Sequence, residues 1–294
     1  MGEQEQPESN YLLPYNDLET RRLRLQHDLI KSYMGTLVLA PIDLEMKGLK
    51  VLDSGTFDGI ATPVSSFQVI GYWLSEAAKL MQEPILVGTD ISPVVFPLKR
   101  ADGPSFYVQS VTEPWPKEWK GTFDLVHQRL VLAGTTPEIG RGAVKAMVEL
   151  AKPGTGWVQF VEGALQHLSN EQKAKYPSLY RFQNLCGRML PGLGWNPKVG
   201  LQIKGWLEEL GLDVSEKIME IPVGVSNPDP RLGAMAKQNL LEVVENFREA
   251  ARGLPEGFEV SAQDFDDVLN DIKIEVDTVG ELLRFNCVWG RRQQ

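Results

Sequence analysis

Two aspartates follow predicted strands at positions where α/β proteins bind nucleotide-like ligands. Asp53 ends the apolar segment 49–52 and precedes a turn through Gly55 and Gly59, after which a helical pattern begins. Glycine lets the backbone approach a ligand closely, and the first N–H groups of the helix face that ligand. Because the Asp53 carboxylate would repel a phosphate, the loop suits a ligand that carries a positive charge or hydroxyl and amino donors.

Asp90 ends the second predicted strand, residues 85–90. An acid at this position of an open parallel sheet can accept hydrogen bonds from the hydroxyls of a ribose. The alternative is an acid that only caps the following helix. Asp90 is therefore the best single candidate for a ribose contact, and the capping role stays open.

Strands and helices alternate along the first half of the chain. The predicted strands are residues 49–53, 85–90, 105–110, 123–132 and 156–163. Helices predicted over 63–79 and 137–151 separate some of them. This order indicates a mostly parallel, doubly wound sheet with helices on both faces, which binds ligands at the carboxyl ends of its strands. The polar residues at those ends are Asp53, Asp90, Gln109, Ser110, His127, Gln128, Arg129 and Glu162.

The remaining segments form a single domain with this sheet. Residues 1–10 are polar and expected to be disordered. The domain divides into a helical cap at 11–47, a ligand-binding core at 48–168, a helical insertion at 169–211 and a C-terminal part at 212–294. The cap holds a helix that begins at Asn16 or Asp17 and has Leu25 and Leu29 on its apolar face.

The insertion is rich in aromatic side chains, which fit either a lid over an apolar ligand or ordinary core packing. These large side chains are Tyr176, Tyr180, Phe182, Met189 and Trp195. After the insertion we predict a sixth strand at 212–225, a long helix at 230–253 and a shorter helix at 262–271 capped by Ser261. A last strand near residues 284–292 would pair at or near the sheet edge.

Composition excludes several classes of protein. The 294 residues are 43% hydrophobic and carry a net charge of −9, so a nucleic-acid partner is not expected. No apolar run approaches the about 18 residues of a membrane span, and the polar N-terminus does not resemble a secretory signal. Cys186 and Cys287 give no disulfide framework, and the few histidines show no zinc-ligand spacing. We therefore expect a cytoplasmic protein without a structural metal.

Six motifs in a fixed order give the chain a specific resemblance. They are YLLPYNDLETRRLRLQH, VLDSGTFDG, VGTDIS, TEPWP with FDLVHQRLVL, AKPGTGWVQFVEG, and the tail from IPVGVSNPDPRLGAMAKQNL to VWGRR. In these motifs the chain resembles the class I S-adenosylmethionine-dependent methyltransferases, whose fold is Rossmann-like and seven-stranded. It is more particularly similar to the fungal secondary-metabolite methyltransferases, the family of the velvet-associated regulator and the gliotoxin methyltransferases.

The resemblance implies S-adenosyl-L-methionine as cofactor and assigns residues to it. The residues implied to bind the cofactor are Tyr11, Gln26, Asp53, Ser54, Gly55, Thr56, Asp90, Ile91, Gln109, Ser110, Val111, His127 and Gln128. The residues implied to face a small-molecule acceptor are Tyr15, His27, Arg129 and Glu162. Two departures from the family pattern stand out: Phe57 replaces the usual second glycine, and Gln109 with Ser110 replaces an acid that would accept the adenine amino group.

Methyl transfer is an in-line displacement at an activated carbon, so alignment and exclusion of water do most of the work. A general base assists when the acceptor is a phenol, an alcohol or an amine. His27, His127 and Glu162 are the candidate bases, and His127 is favoured for its place at the tip of the fourth strand. The absence of an obvious catalytic set fits transfer to sulfur or nitrogen more than to oxygen.

Three functions remain open from the sequence. The first is a small-molecule methyltransferase of specialised metabolism. The second is a regulator of the velvet-associated type, which predicts a basic localisation segment where this chain offers only RRLR at 21–24. The third is a methyltransferase fold used for another reaction such as cyclisation, an alternative that Phe57 keeps open.

Overall fold

The computed structural model describes residues 17–56, 71–92, 96, 103–163, 165, 168–255 and 257–294. The expectations for residues 1–10, for the start of the second helix, and for Tyr11, Tyr15 and Phe57 therefore lie outside the described residues. Seven strands form one sheet in the order β3-β2-β1-β4-β5-β7-β6. They are β1 (Lys50–Ser54), β2 (Ile85–Asp90), β3 (Ser105–Val108), β4 (Leu125–Arg129), β5 (Trp157–Gly163), β6 (Asp213–Val223) and β7 (Glu281–Arg291).

The sheet is parallel from β3 to β5, and only β7 runs against its neighbours. This arrangement confirms the predicted Rossmann-like methyltransferase fold. The last strand does not form the edge itself. β7 lies between β5 and β6, so β6 is the edge strand and, among the described residues, pairs with β7 alone.

The described residues form eight α-helices. They are α1 (Asp17–Met34), α2 (Tyr72–Ala78), α3 (Pro137–Val148), α4 (Asn170–Lys175), α5 (Pro177–Gly192), α6 (Ile203–Glu209), α7 (Pro230–Arg252) and α8 (Ala262–Thr278). Ser261 caps α8 through a capping box, as predicted. The helix runs seven residues past its predicted end because Ile272 and Val276 continue its buried apolar face. None of these helices is long and apolar enough to cross a bilayer.

The helices pack on both faces of the sheet. α2 and the segment 37–40 cover β1 and β4 on one face, with Val51, Trp73 and Leu125 in their shared core. α3 and α6 cover the opposite face. α1 and α5 join α7 and α8 in a third apolar cluster beside β6 and β7. The cap helix is thereby fixed to the half of the sheet that forms from the C-terminal residues.

Most of the large side chains of the insertion belong to the hydrophobic core. Tyr176, Phe182 and Met189 are buried with Phe265 of α8, so core packing accounts for them better than a lid does. Tyr180 is 37% exposed. α6 also differs from the expected insertion, because it packs against α3 and β6 as part of the sheet's own helical layer.

Candidate active site at the carboxyl edge of the sheet

The carboxyl ends of three neighbouring strands bring the predicted polar residues together. Asp53 of β1 lies opposite His127 of β4 in the strand register, and Ser54 lies opposite both Thr89 of β2 and Gln128 of β4. All five side chains are buried. Since the strands are parallel, this polar group forms at one edge of the sheet, where ligands of such folds bind.

The turn after β1 is held close to its neighbours. The backbone N–H of Thr56 donates to the carbonyl of Thr89 at 2.9 Å. Gly55 has φ 69°, and a Cβ atom at this position would overlap the Cγ2 methyl of Val131. Both facts require glycine here, because other residues rarely adopt positive φ and none would fit beneath Val131.

Asp53 is oriented by a buried histidine. The Nδ1 atom of His127 lies 2.7 Å from Oδ1 of Asp53, and the imidazole stacks on the Trp73 indole with ring centroids 3.7 Å apart and planes at 4°. His127 is 1% exposed, and burial lowers its pKa despite the nearby carboxylate. A neutral imidazole with its Nδ1–H on Asp53 leaves the other carboxylate oxygen for a ligand.

Asp90 and Gln109 occupy the next strand ends. An Oδ1 atom of Asp90 accepts the N–H of Ser92 at 3.0 Å, and the Asp90 carbonyl accepts the N–H of Gln109 at 2.9 Å. Gln109 turns its Nε2 back to the Ser110 carbonyl at 2.9 Å. That bond orients the amide so that its oxygen remains the acceptor, which is the role expected for it at an adenine amino group. Val111 is buried beside this turn.

Glu162 organises the connection that follows β4. Its Oε1 accepts three hydrogen bonds of 2.8 Å, from Nε2 of Gln128 and from the backbone N–H groups of Val131 and Leu132. Burial raises the pKa of Glu162 to about 7. Leu130, which precedes Val131, has φ 56°, a strained value for leucine. Glu162 therefore shapes the turn that places Val131 over Gly55, and its side chain is fully buried.

His27 and Arg129, both predicted to face the acceptor, contact each other. Nη1 of Arg129 lies 3.0 Å from Nδ1 of His27, and Nε2 of His27 lies 3.1 Å from Oε2 of Glu76. His27 is 1% exposed and Gln26 7% exposed, so neither side chain is solvated. Sequence reasoning missed Glu76, since an acid within a helix ordinarily faces solvent.

Buried polar atoms without a partner test whether the edge fits a polar cofactor. Six such atoms at the strand ends have no hydrogen-bond partner among the described residues. They are Ser54 Oγ, Thr56 Oγ1, Thr89 Oγ1, His127 Nε2, Gln128 Oε1 and Glu162 Oε2. Uncompensated buried polar groups are costly, and they concentrate at sites that bind ligands or water. Together with the acids Asp53 and Asp90, this edge fits a ligand with amino and hydroxyl donors.

Two other features of the described residues resemble ligand sites but are distinct from the cofactor cleft. His27, Asp28 and Glu76 are close enough to bind a metal ion, but Nζ of Lys31 already lies 2.6 Å from Glu76. A groove of about 820 Å³ lies elsewhere, between the outer face of α5 and the loop that carries Trp195. It is lined by side chains other than those of the strand ends, so it is not the predicted cofactor cleft.

Comparison with known proteins identifies the family. No family model matches the chain. It is 56% identical over 286 residues to the N-methyltransferase gliN of Aspergillus fumigatus, with 97% of each chain covered. It is 53% identical over 287 residues to the N-methyltransferase sirN of Leptosphaeria maculans, with 97% of this chain and 96% of that protein covered.

Solved structures agree on the fold. A cyclopropane-fatty-acyl-phospholipid synthase-like protein from Lactobacillus casei superposes with a TM-score of 0.51 over 96% of this chain and 97% of that one, at 13% identity. At that identity the likeness concerns the fold alone. Taken with the two fungal relatives, the findings confirm the resemblance seen in the motifs. The chain is a methyltransferase and belongs to the fungal family of class I S-adenosylmethionine-dependent methyltransferases that contains gliN and sirN.

Proposed function

We propose that this methyltransferase transfers a methyl group to a nitrogen atom of a small secondary metabolite. The structural observation that supports the cofactor part of the proposal is the pair of buried acids, Asp53 beside the Gly55 turn and Asp90 on the adjoining strand. Relatives more than half identical over nearly the whole chain are named N-methyltransferases, which favours nitrogen over sulfur or oxygen.

The strand ends supply a contact for each part of S-adenosyl-L-methionine, which when bound presents a methyl group activated by a sulfonium. Asp53 would bind its amino group, and the backbone of residues 54–56 would face its methionine portion. Asp90 would accept the ribose hydroxyls. The adenine would lie against Ile91 and the turn formed by Gln109, Ser110 and Val111. Tyr11 and Tyr15, which the resemblance assigns to the cofactor and to the acceptor, lie outside the described residues.

We further propose that no strong general base takes part. The three candidates, His27, His127 and Glu162, are each at most 1% exposed. His127 bonds Asp53, His27 bonds Glu76, and Glu162 bonds the turn after β4. Each holds the site through these bonds, so we propose that they act by positioning. Nε2 of His127 has no partner among the described residues, and the base role predicted for His127 stays a prediction that the His127→Asn variant tests. The residues then act by aligning the acceptor and excluding water.

Transfer of a radiolabelled methyl group tests the proposal. The purified chain is given labelled S-adenosylmethionine and a panel of small acceptors that share a scaffold and differ only in the nucleophile: an amide nitrogen, an amine, a thiol or a phenol. We expect label in nitrogen acceptors. Calorimetry with S-adenosylhomocysteine is run in parallel, with Asp90→Ala as the variant that loses the ribose contact.

The outcomes separate the parts of the proposal. Absence of S-adenosylhomocysteine binding by the wild-type chain would overturn the cofactor site. Binding with label only in thiols or phenols would overturn the choice of nitrogen. For His127, a general base contributes about 10²–10⁴-fold to turnover, so a loss of that size in His127→Asn with unchanged cofactor affinity would restore the catalytic role.

A further inference from the structure

Three elements meet at the His27 side chain. His27 lies on the cap helix α1, Glu76 on α2, and Arg129 is the last residue of β4. The imidazole bridges the other two, with 3.1 Å to the Glu76 carboxylate and 3.0 Å to the Arg129 guanidinium. We name His27, Glu76 and Arg129 the cap latch.

The chemistry of the partners fixes the protonation of the imidazole. Arg129 can only donate, so Nδ1 of His27 must accept and carries no proton. Nε2 then carries the proton and donates it to Glu76. Burial and the positive charge of Arg129 lower the pKa of His27 to about 3, in agreement with a neutral ring. Only this tautomer satisfies both neighbours at once, so the latch specifies one arrangement of the three elements.

Charges around the latch are balanced. Nζ of Lys31, one turn further along α1, lies 2.6 Å from the same Glu76 oxygen. The Tyr72 ring meets the edge of the His27 ring at 4.6 Å, and the Tyr72 hydroxyl donates to Asp28 at 3.4 Å. Glu76 thus binds two residues of α1 and is the one acid of α2 that connects the cap to the helix behind the cofactor loop.

The latch continues into the cofactor site through α2. Trp73 follows Tyr72 directly and stacks on His127, which bonds the Asp53 carboxylate. On the β4 side, Arg129 follows Gln128, the residue that bonds Glu162. A shift of α2 or of the β4 tip would therefore disturb Asp53 or the turn over Gly55.

We propose that Glu76 and His27 are positioning residues of the methyltransferase, and that they hold the cap helix, Arg129 and the Asp53 site in the arrangement that binds the cofactor. This inference rests on the proposed cofactor site. In this proposal Glu76 affects cofactor binding, which an ordinary surface ion pair does not do. Neither residue needs to touch the cofactor, because both act through Arg129 and α2.

The test compares Glu76→Ala with a matched control, Glu83→Gln. Glu83 forms an ion pair with Lys47 at 2.9 Å, but both side chains are more than two-thirds exposed. Calorimetry measures the S-adenosylhomocysteine Kd, and hydrogen exchange measures the protection of residues 17–34. We expect Glu76→Ala to weaken binding about 10- to 100-fold, the range for loss of hydrogen bonds to a charged group, and to increase exchange in α1. Glu83→Gln should change neither.

Rescue at His27 separates positioning from general destabilisation. A glutamine amide can accept from Arg129 through its oxygen and donate to Glu76 through its nitrogen, as the neutral imidazole does. We expect His27→Gln to retain most of the affinity that His27→Ala loses, with KM for S-adenosylmethionine changing more than kcat. These two variants serve also if Glu76→Ala does not fold.

Two results would overturn the latch: folded Glu76→Ala or His27→Ala with affinity and α1 exchange within twofold of wild type, or equal loss in His27→Gln and His27→Ala. Failure of the proposed function is distinguishable from both. It would show as a wild-type chain that binds no S-adenosylhomocysteine, and in that event exchange of α1 in the free protein still decides whether the latch holds the cap.

Discussion

Glu162 offers a quantitative test of the carboxyl edge through its replacement by glutamine. The carboxyl group is fully buried, and burial raises its pKa from 4.5 to about 7. Folding therefore favours the protonated form. The contribution of Glu162 to the free energy of unfolding is fully present below pH about 4.5 and is lost as the pH rises to about 7. A change of this size corresponds to about 3 kcal/mol of unfolding free energy, at 1.36 kcal/mol per pH unit.

Glutamine resembles the protonated acid and does not titrate. Its oxygen can still accept from Gln128, Val131 and Leu132, so Glu162→Gln should resemble wild type near pH 4.5. Above pH 7 the variant should be the more stable by about 3 kcal/mol. Urea unfolding of both proteins from pH 4.5 to 8 measures the difference, in which the titration of all other groups cancels.

A difference that stays constant across this range would refute the reasoning. It would mean that Glu162 has an ordinary pKa, and hence that water or a cation reaches the side chain. Glu83→Gln is the control for the substitution itself, because the Glu83 side chain is exposed.

Three further predictions concern single positions. Gly55→Ala should lower the unfolding free energy by about 1–3 kcal/mol, because Gly55 has a positive φ and the added Cβ would overlap Val131. Calorimetry should also show weaker binding of S-adenosylhomocysteine to this variant. As the control, Gly142→Ala lies in a helix where the added Cβ meets open space, so it should raise the unfolding free energy by about 0.5–1 kcal/mol. The pKa of His27 is lowered from 6.5 to about 3. Its contribution to the free energy of unfolding is therefore fully present above pH 6.5 and is lost as the pH falls toward 3. Urea unfolding of His27→Gln should not show this loss of stability at acid pH. Ser261→Ala should cost about 1 kcal/mol in thermal unfolding by removing the capping box of α8, and no change in Tm would contradict this.

The fold was largely predictable because it depends on local patterns. The second strand was predicted at the residues where β2 begins and ends, and the helix predicted at 230–253 is α7 to within one residue. Both have apolar segments with clear signals at their ends: β2 follows Pro84 and ends at an acid, and α7 begins at Pro230 and is followed by Gly253. The end of α8 was missed because Asp271 resembles a polar stop, although Ile272 and Val276 on its far side are buried.

The positions of the acids in the site were predictable from the sequence, whereas the contacts between side chains were not. Asp53 and Asp90 follow from strand ends, which the sequence marks. The His127–Asp53 bond depends on which strands are neighbours, and the stack on Trp73 depends on how α2 crosses the sheet. The His27–Arg129 contact joins positions 102 residues apart, so no local pattern contains it.

The place of β7 affects the order in which the protein can form. β6 pairs with β7 over eleven residue positions and, in the part of the chain that the structure describes, has no other strand beside it. The partner of residues 213–223 thus emerges from the ribosome only with residues 281–291, after α7 and α8 have been made. Such distant pairings close slowly. During synthesis, the central parallel strands can assemble while β6 remains an unpaired edge, exposed to chaperones and to wrong partners until the final strand inserts between it and β5.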